Sequence, residues 1–163
     1  MRTQRLTLLA LLTSVGLAIH VFEAILPPPL PLPGAKLGLA NIVTLIALTH
    51  FSRHDALKVL LARIFLAGLF GGQLVSLMMS LAGGLSCYAA SVVALRRAPL
   101  GLRTLSVIGA VAHNLGQLAM AAFIMHTAGI IFYLPFLLLM AIPAGLLTAT
   151  AAELLIKRPG PSL

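Results

Sequence analysis

The chain has 163 residues, of which 60% are hydrophobic and 9% are charged, and its mean hydropathy is +1.09. A water-soluble domain is apolar over only about half of its residues, so this composition excludes a soluble globule and indicates an integral membrane protein. The formal net charge of +8 would suggest a nucleic-acid partner for a soluble protein. Here the Lys and Arg residues lie mostly in short connections between apolar runs, which is a signal of membrane topology, and no nucleic-acid partner is expected.

Several apolar runs of about 20 residues follow one another, and each is long enough to cross about 30 Å of hydrocarbon as a helix. We therefore predict a single domain over residues 1–163, an all-α integral membrane protein with a bundle of six transmembrane helices. The predicted helices cover residues 6–26, 37–51, 52–70, 74–95, 105–125 and 130–156.

Two breaks separate the first three predicted helices. The run PPPLPLPG at residues 27–34 ends the first helix, because repeated prolines remove amide donors and favour extended polyproline geometry. The second helix is short for a full crossing of the membrane. Ser52 precedes Asp55 by three residues and resembles a capping box with Asp in place of Glu, which predicts that the third helix begins at this turn.

Glycine and proline also mark breaks in the later helices. We expect the glycine pair at residues 83–84 to interrupt the fourth helix. The last apolar run contains Pro135 and Pro143, which favour either a kinked helix or a short segment ahead of the main span.

The basic residues indicate the orientation of the bundle. Six crossings place both termini on one side of the membrane, and Lys36 is expected to lie on the opposite side. The basic residues expected on the side of the termini are Arg2, Arg5, Arg53, Lys58, Arg96, Arg97, Arg103, Lys157 and Arg158. The positive-inside rule therefore predicts cytoplasmic termini and an outward-facing proline loop.

Polar side chains within the apolar runs are the candidates for function, since a charge at mid-depth costs several kcal/mol and needs a partner or a purpose. Arg63 lies too deep to be an ordinary loop charge, and Glu23 lies near the outer end of the first helix. We predict a small-molecule site that opens outward beneath the proline loop. Its residues are Glu23, Lys36, Asn41, Arg63, His113, Asn114 and Gln117.

The charges of this site favour an anionic or strongly polar substrate, because Glu23 can neutralise only one of the two cations Lys36 and Arg63. A purely structural interpretation is also open. In that case Arg63 pairs with Glu23 or extends towards an interface, and the polar residues of the fifth helix join helices through hydrogen bonds.

Other ionisable residues are interpreted as structural. We interpret Glu153 with Lys157 as an ion pair near the end of a helix, because the two residues are four positions apart. Asp55 with Lys58 is interpreted in the same way. The single cysteine, Cys87, excludes an internal disulfide. The histidines lack the close spacing of a ligand set, so no metal is expected.

The sequence predicts no catalytic residue and no cofactor. Prenyl diphosphate synthases place aspartate-rich motifs around magnesium and diphosphate, whereas the acids of this chain are Glu23, Asp55 and Glu153, never two adjacent. The sequence also lacks a Gly-x-x-x-x-Gly-Lys phosphate loop, so any ATP hydrolysis must come from a partner.

A stripe of small residues on the first helix is a candidate partner contact. Ala10, Ser14 and Ala18 recur every fourth position, which lets another helix approach closely. This stripe lies about opposite to the face of His20 and Glu23, so one face could contact a partner while the other lines a site. Simple packing within the bundle is the alternative.

Four segments in order carry a family resemblance: GAKLGLANIVTL at residues 34–45, ARIFLAGLFGG at 62–72, SLAGGLS at 80–86 and GAVAHNLGQL at 109–118. Together with FEAILP at residues 22–27 they resemble the Gx transporter family of small bacterial membrane proteins, often labelled heptaprenyl diphosphate synthase component I. That family is similar to the substrate-binding S components of energy-coupling factor (ECF) transporters.

The resemblance implies a six-helix fold like that of an S component, with cytoplasmic termini, in the bacterial cytoplasmic membrane and in contact with membrane lipid. S components bind a vitamin or related small molecule from outside, and a transmembrane T subunit with two ATPase subunits drives its release inward. The stripe at Ala10, Ser14 and Ala18 resembles the Ala-x-x-x-Ala contact of S components with the T subunit, with serine in the middle. An accessory membrane subunit in isoprenoid or quinone metabolism is the alternative function, and a structural or redox-complex assembly protein is a third.

Overall fold

The computed structural model of the chain describes residues 2–25, 38–71 and 74–157. These residues form six α-helices and one 3₁₀ segment, and the described part contains no strand. The helices are α1 (Arg2–Ile25), α2 (Asn41–His50), α3 (Arg53–Gly71), α4 (Leu74–Arg97), α5 (Leu102–Met125) and α6 (Leu134–Lys157), and the 3₁₀ segment is Ala128–Tyr133. The predicted all-α bundle is confirmed. The proline loop and Lys36 lie outside the described residues.

Two of the six helices differ from full apolar spans. In the described ranges, four stretches are long and apolar enough to cross a membrane: Thr3–Glu23, Leu74–Arg97, Leu102–Met125 and Gly129–Ile156. α2 has 10 residues, or about 15 Å of helix, which is half of the hydrocarbon thickness. α3 has the necessary length but carries charged side chains along much of it.

The outer surface of the bundle is apolar. Leu69, Phe70 and Phe132 are exposed over 76% to 85% of their area, and many other large apolar side chains are exposed over more than a third of theirs. A soluble protein rarely exposes apolar surface on this scale, whereas lipid tails accept it without cost. Together with the long apolar helices, this surface indicates a multi-pass membrane protein.

α2 lies at the centre of the bundle. It contacts α1, α3, α4 and α6, and seven of its ten residues are buried. Around it, α1 packs along α3, α4 along α5, and α5 along α6. The side chains of α2 therefore meet residues from both halves of the chain rather than lipid.

Two apolar clusters hold the bundle together at different levels. The first surrounds α2 and includes Val43 and Leu105, and the second joins α4, α5 and α6 and includes Met79 and Leu118. In a bilayer such clusters stabilise the fold by close packing rather than by removal from water. On α5, His113 falls between Leu105 and Leu118 in the sequence, so polar residues occupy the level between the two clusters.

The start of α3 confirms the predicted capping box. The backbone N–H of Asp55 donates to Ser52 Oγ at 3.2 Å, and the backbone N–H of Ser52 donates to Asp55 Oδ2 at 3.4 Å. The carboxylate of Asp55 also accepts from Arg5 of α1, with Nε at 3.0 Å from Oδ2. The expected pair of Asp55 with Lys58 is therefore wrong: in the described part, Arg5 is the cation that contacts Asp55, because α1 and α3 pack side by side.

Glu153 likewise contacts another helix. Arg103, at the start of α5, donates from Nε and Nη2 to the two oxygens of Glu153, each at 3.2 Å. The side chain of Lys157 lies outside the description, so the expected pair of Glu153 with Lys157 stays a prediction. We call the end of the bundle that holds the contacts of Arg5 and Arg103 the basic end.

The predicted interruption of the fourth helix is wrong. α4 runs without a break from Leu74 to Arg97, through Gly83 and Gly84. The second glycine makes room for α3: a Cβ at Gly84 would lie 3.0 Å from side-chain atoms of Leu60 and Ile64. These glycines therefore permit close helix packing rather than a break in the hydrogen-bonded ladder.

The last apolar run begins with the short segment that was predicted as one of two alternatives. The 3₁₀ segment Ala128–Tyr133 precedes α6, which begins at Leu134. Pro135 falls at the start of α6, where a missing N–H has no cost, and Pro143 lies inside the helix.

Candidate functional site

Five of the predicted site residues line one cleft. Glu23 comes from α1, Asn41 from the first turn of α2, Arg63 from α3, and His113 and Gln117 from α5. We call this space the polar cleft; His20, Gly38, Ala40 and Ser80 complete its walls. All five predicted side chains are buried, with Arg63 exposed over 3% and Gln117 over 2% of their areas.

Glu23 holds the beginning of α2. Its carboxylate accepts the backbone N–H groups of Gly38, of Leu39 at 3.0 Å and of Ala40 at 3.5 Å. These amides belong to the turn that leads directly into α2, and the partial positive charge of the helix N-terminus favours a carboxylate there. Much of the negative charge of Glu23 is thus compensated by α2 itself.

The same contacts explain why the second helix begins at Asn41 rather than at residue 37 as predicted. Gly38 has φ +80°, in the left-handed region that ends or precedes an α-helix and that glycine adopts without strain. Leu39 and Ala40 form a turn in which the N–H of Asn41 donates to the carbonyl of Gly38 at 2.9 Å. The chain therefore enters α2 through a tight turn over the carboxylate of Glu23.

A row of hydrogen bonds joins α3 to α5 through Asn41. Arg63 Nη2 donates to Asn41 Oδ1 at 3.2 Å, and Asn41 Nδ2 lies 3.0 Å from His113 Nδ1. Because arginine can only donate, Asn41 must present its oxygen to Arg63 and its NH₂ group to His113. His113 Nδ1 then accepts, so the neutral imidazole carries its proton on Nε2.

Several atoms at this site have no hydrogen-bond partner among the described residues. They are Arg63 Nε, His113 Nε2 and both amide atoms of Gln117. A buried polar atom without a partner costs about 1–3 kcal/mol, so this number of them within one cleft needs a compensating ligand or water. With His113 in the tautomer argued above, three of these four atoms are donors, and the cleft is built to receive acceptors.

Arg63 keeps its positive charge without a carboxylate in contact. Its hydrogen-bond partner among the described residues is the neutral amide of Asn41, and no direct ion pair of Arg63 with Glu23 is formed within the described ranges. The carboxylate of Glu23 accepts backbone N–H groups ahead of α2 instead, and its charge acts on Arg63 from a distance rather than through a direct contact. A charge that is buried and not directly paired is costly, which makes Arg63 the strongest indication of a ligand site.

Glycines shape the space around His113. A Cβ at Gly38 would lie 2.9 Å from His113 Cδ2, and a Cβ at Gly83 would lie 2.7 Å from His113 Cε1. On the other side, a Cβ at Gly16 of α1 would lie 2.9 Å from Cδ of Arg63. The absence of side chains at these positions allows the imidazole and the guanidinium to reach the middle of the bundle.

The polar cleft is narrow in this conformation. Its cavity volume is about 10 Å³, far below the roughly 300–1,000 Å³ of typical small-molecule pockets. About one water fits between these walls as they stand, so a ligand enters only when the walls move apart.

Two predicted residues are not part of this cleft as described. Asn114 Nδ2 donates to the carbonyl of Leu137 at 2.8 Å and so connects α5 to α6, as the structural interpretation proposed for that helix. Lys36 lies outside the described residues. Sequence reasoning missed Ser80 as a wall residue, although it begins the SLAGGLS segment, because a serine among glycines gave no signal of its own.

The small residues of α1 lie on the outer surface. Ala10, Ser14 and Ala18 are exposed, and the hydroxyl of Ser14 donates to the carbonyl of Ala10 at 3.0 Å within the helix. His20 and Glu23 are buried on another face of α1. The helix thus presents one face to the polar cleft and another to its surroundings.

Comparison with known proteins gives the family. Residues 12–155 match the family described as heptaprenyl diphosphate synthase component I, which covers most of the chain. The chain belongs to this family. The resemblance to the Gx transporter family, first found on four sequence segments, is confirmed. Searches of curated proteins and of solved structures gave no match.

Proposed function

We propose that this member of the heptaprenyl diphosphate synthase component I family is the membrane-embedded substrate-binding subunit of an ECF-type importer. Its substrate is a small metabolite with an anionic or acceptor-rich group. The observation that carries the proposal is Arg63, a buried cation whose described hydrogen-bond partner is a neutral amide, beside unpartnered donors of His113 and Gln117.

The charge and the hydrogen-bond pattern support the same ligand class. A carboxylate or phosphate would give Arg63 Nε a charge-assisted hydrogen bond and would place a negative charge directly against the guanidinium, which Glu23 does not do. It could also accept from His113 Nε2. A cationic ligand would meet Arg63 with repulsion, so we expect the site to reject it.

The family description favours a second candidate, an accessory membrane subunit of prenyl diphosphate synthesis. The acids of the chain are distributed over three separate contacts: Glu23 at α2, Asp55 with Arg5, and Glu153 with Arg103. Prenyl transfer needs carboxylates gathered around magnesium and diphosphate. Within that role, the chain would therefore serve as a partner of a catalytic subunit rather than provide the reacting groups.

Retention of small molecules by purified protein tests the proposal. Immobilised protein in detergent is exposed to an ethanol extract of bacterial cells, washed, and eluted for mass spectrometry. We expect the wild type to retain a compound with a carboxylate or phosphate group. Arg63→Gln should retain at least about tenfold less, equivalent to 1.4 kcal/mol, because the charge is lost. Arg63→Lys should recover only part, since lysine lacks the planar fork of donors.

Melting temperature separates binding from a structural role. Arg63→Gln should melt at or above the temperature of the wild type, because it removes an incompletely paired buried charge. Arg103→Gln is the matched control, an equal charge change at the basic end, and it should retain the compound fully. Equal retention by wild type and folded Arg63→Gln would contradict the cationic site. Product formation from prenyl diphosphates by the purified chain alone would favour the second candidate instead.

A further inference from the structure

An apolar groove opens on the lipid-facing surface of the bundle. Its floor is α2, its sides are α1 and α6, and its cavity volume is about 400 Å³. We call it the lateral groove, and it shares none of its described lining residues with the polar cleft. In the described part of the chain, α1 and α6 each pack against α2, but little or no packing joins α1 directly to α6. The groove is the gap that this arrangement leaves.

The walls of the lateral groove are almost entirely apolar. Ile42 and Val43 of α2 lie at its floor and are exposed over 6% and 1% of their areas. The side walls reach the surface, where Leu8, Val15 and Leu155 are exposed over 50%, 46% and 57%. An unfilled concavity of this size would lose the dispersion contacts of its lining, so an apolar chain from the bilayer has a reason to enter it.

The length of the groove matches one half of the bilayer. Its lining extends along α1 from Leu8 to Val15, about 10 Å of helix, and along α2 from Ile42 to Phe51, about 14 Å. Half of the hydrocarbon core is about 15 Å thick, which is the depth that the acyl chains of one leaflet occupy. A partner helix is about 10–12 Å wide and would lie along the full thickness of the core, so a single acyl chain fits this groove better.

Positive charge surrounds the basic end of the groove. Among the described lining residues His50 is the polar one, and it is exposed at the end of α2. Arg53 and His54 follow at the start of α3; both are exposed, and neither forms an ion pair within the described ranges. The acid nearby, Asp55, is in contact with Arg5. An anionic head at this end would therefore meet an available guanidinium.

We propose that the lateral groove binds an acyl chain of an anionic phospholipid, with the phosphate head at His50 and Arg53. The positive-inside rule predicts that this end faces the cytoplasm, and the cytoplasmic leaflet carries anionic lipids. The chain fills the gap between α1 and α6, and the head balances the charge at the end of the groove. The inference does not rest on the proposed function, because it uses none of the residues of the polar cleft.

Lipid binding by the purified full chain tests the proposal. The protein in detergent is titrated with dioleoyl phosphatidylglycerol, which is anionic, and with dioleoyl phosphatidylcholine, which has the same chains and no net charge. Native mass spectrometry counts the complexes. The wild type should bind one phosphatidylglycerol about fivefold more tightly than phosphatidylcholine, because one basic side chain near an anionic lipid contributes an attraction of that size. Equal affinity for the two lipids would overturn the anionic head.

Filling the groove tests the site of the acyl chain. Leu8→Trp combined with Leu155→Trp places two large side chains in the side walls and should weaken binding of both lipids at least about tenfold. Leu11→Trp combined with Leu154→Trp is the matched control, on the same helices but outside the lining. All four leucines are exposed over at least half of their area, so both variants should fold. If the filled groove bound phosphatidylglycerol as tightly as the control, the proposal would be wrong.

Charge removal tests the head separately and does not depend on the folding of the tryptophan variants. Arg53→Gln should bind phosphatidylglycerol about fivefold more weakly and phosphatidylcholine as the wild type does. Arg97→Gln is the control, an equal charge change at the end of α4, which contributes no described residue to the groove. An equal loss in both variants would show a general attraction of the basic end and would overturn the assigned head position.

Two further measurements fix the ligand class and its independence from the polar cleft. Farnesyl diphosphate also joins an apolar chain to a phosphate head, and its displacement of bound phosphatidylglycerol at equal concentration would show a prenyl diphosphate site instead of a phospholipid site. Arg63→Gln should bind phosphatidylglycerol as the wild type does, whether or not the proposed function is correct. Weaker lipid binding in folded Arg63→Gln protein would contradict a site confined to the lateral groove.

Discussion

The side-chain amide of Asn41 connects the guanidinium of Arg63 to the imidazole of His113. Its oxygen accepts from Arg63 and its nitrogen lies against His113, so the contacts on both sides fix the orientation of the amide. The result is a site in which donors point into the cleft while the one nearby acid, Glu23, is occupied elsewhere. A single side chain therefore decides whether Arg63 faces a neutral or a negative partner.

Asn41→Asp would supply the carboxylate that Arg63 lacks. The variant has almost the same shape, and the new ion pair should keep or raise the melting temperature. It should also lower retention of an anionic compound at least about tenfold, because the positive charge of the cleft is neutralised from within. Retention by mass spectrometry and melting temperature are measured on the same preparation. Undiminished retention in a folded Asn41→Asp protein would show that the charge of Arg63 does not select the compound.

α2 is the element on which the site depends. It is too short to cross the membrane, yet it lies at the centre of the bundle and begins at the level of the polar cleft. No helical turn precedes α2 to accept the backbone N–H groups of Gly38 and Leu39. The carboxylate of Glu23, on α1, accepts them instead. The start of α2, and with it the position of Asn41, is thus held by a carboxylate on another helix as well as by the packing of α2 against its neighbours.

Glu23→Ala should destabilise the protein by about 2–3 kcal/mol, because buried amides at the start of α2 would lose a charged acceptor. Glu23→Gln keeps one oxygen and should lose about 1 kcal/mol through the missing charge at the helix N-terminus. Glu153→Ala is the control, since its partner Arg103 is 65% exposed and such a surface pair contributes at most about 1 kcal/mol. Unfolding by titration with sodium dodecyl sulfate measures all three. If Glu23→Ala were as stable as the control, Glu23 would not hold α2.

The sequence was sufficient for the features that depend on local chemistry. The helices follow from apolar runs, the start of α3 from Ser52 and Asp55, and the segment before α6 from the prolines of the last run. Five residues that line the polar cleft were among those predicted, because a polar side chain inside an apolar run is costly and therefore conspicuous. Features that depend on which helices are neighbours were missed.

Tertiary neighbours account for those failures. Asp55 contacts Arg5 and Glu153 contacts Arg103, each 50 positions away, and spacing along one helix cannot reveal such partners. The unbroken course of α4 through Gly83 depends on the helices packed against it.

At the scale of the whole molecule, the two ends of the bundle differ in chemistry. The basic end is tied by ionic contacts of Arg5 and Arg103, and the polar cleft lies towards the opposite end, where the chain enters α2 from the proline loop. The positive-inside rule predicts that the basic end faces the cytoplasm and that the proline loop faces outward. Under the proposed function, a molecule enters the polar cleft from outside, and we expect a second component to drive its release inward.

The exposed face of α1 is where we expect that component to dock. Ala10, Ser14 and Ala18 leave a shallow stripe on the outer surface, and small residues let a partner helix approach closely in the membrane. Ala10→Leu combined with Ser14→Leu should block this approach. Because both positions are exposed, the double variant should fold and retain small molecules as the wild type does, while it recovers at least about tenfold less of a T subunit and its ATPases in a pull-down from membranes.

A matched pair of substitutions on another surface makes this test specific. Ala89→Leu combined with Ala119→Leu adds leucines at exposed positions of α4 and α5, away from the stripe on α1. This control should recover the partner subunits fully, because added bulk there meets only lipid. If the α1 variant recovered them as well as the control does, the stripe at Ala10 and Ser14 would be lipid-facing surface, and the energising subunits would have to bind elsewhere on the bundle.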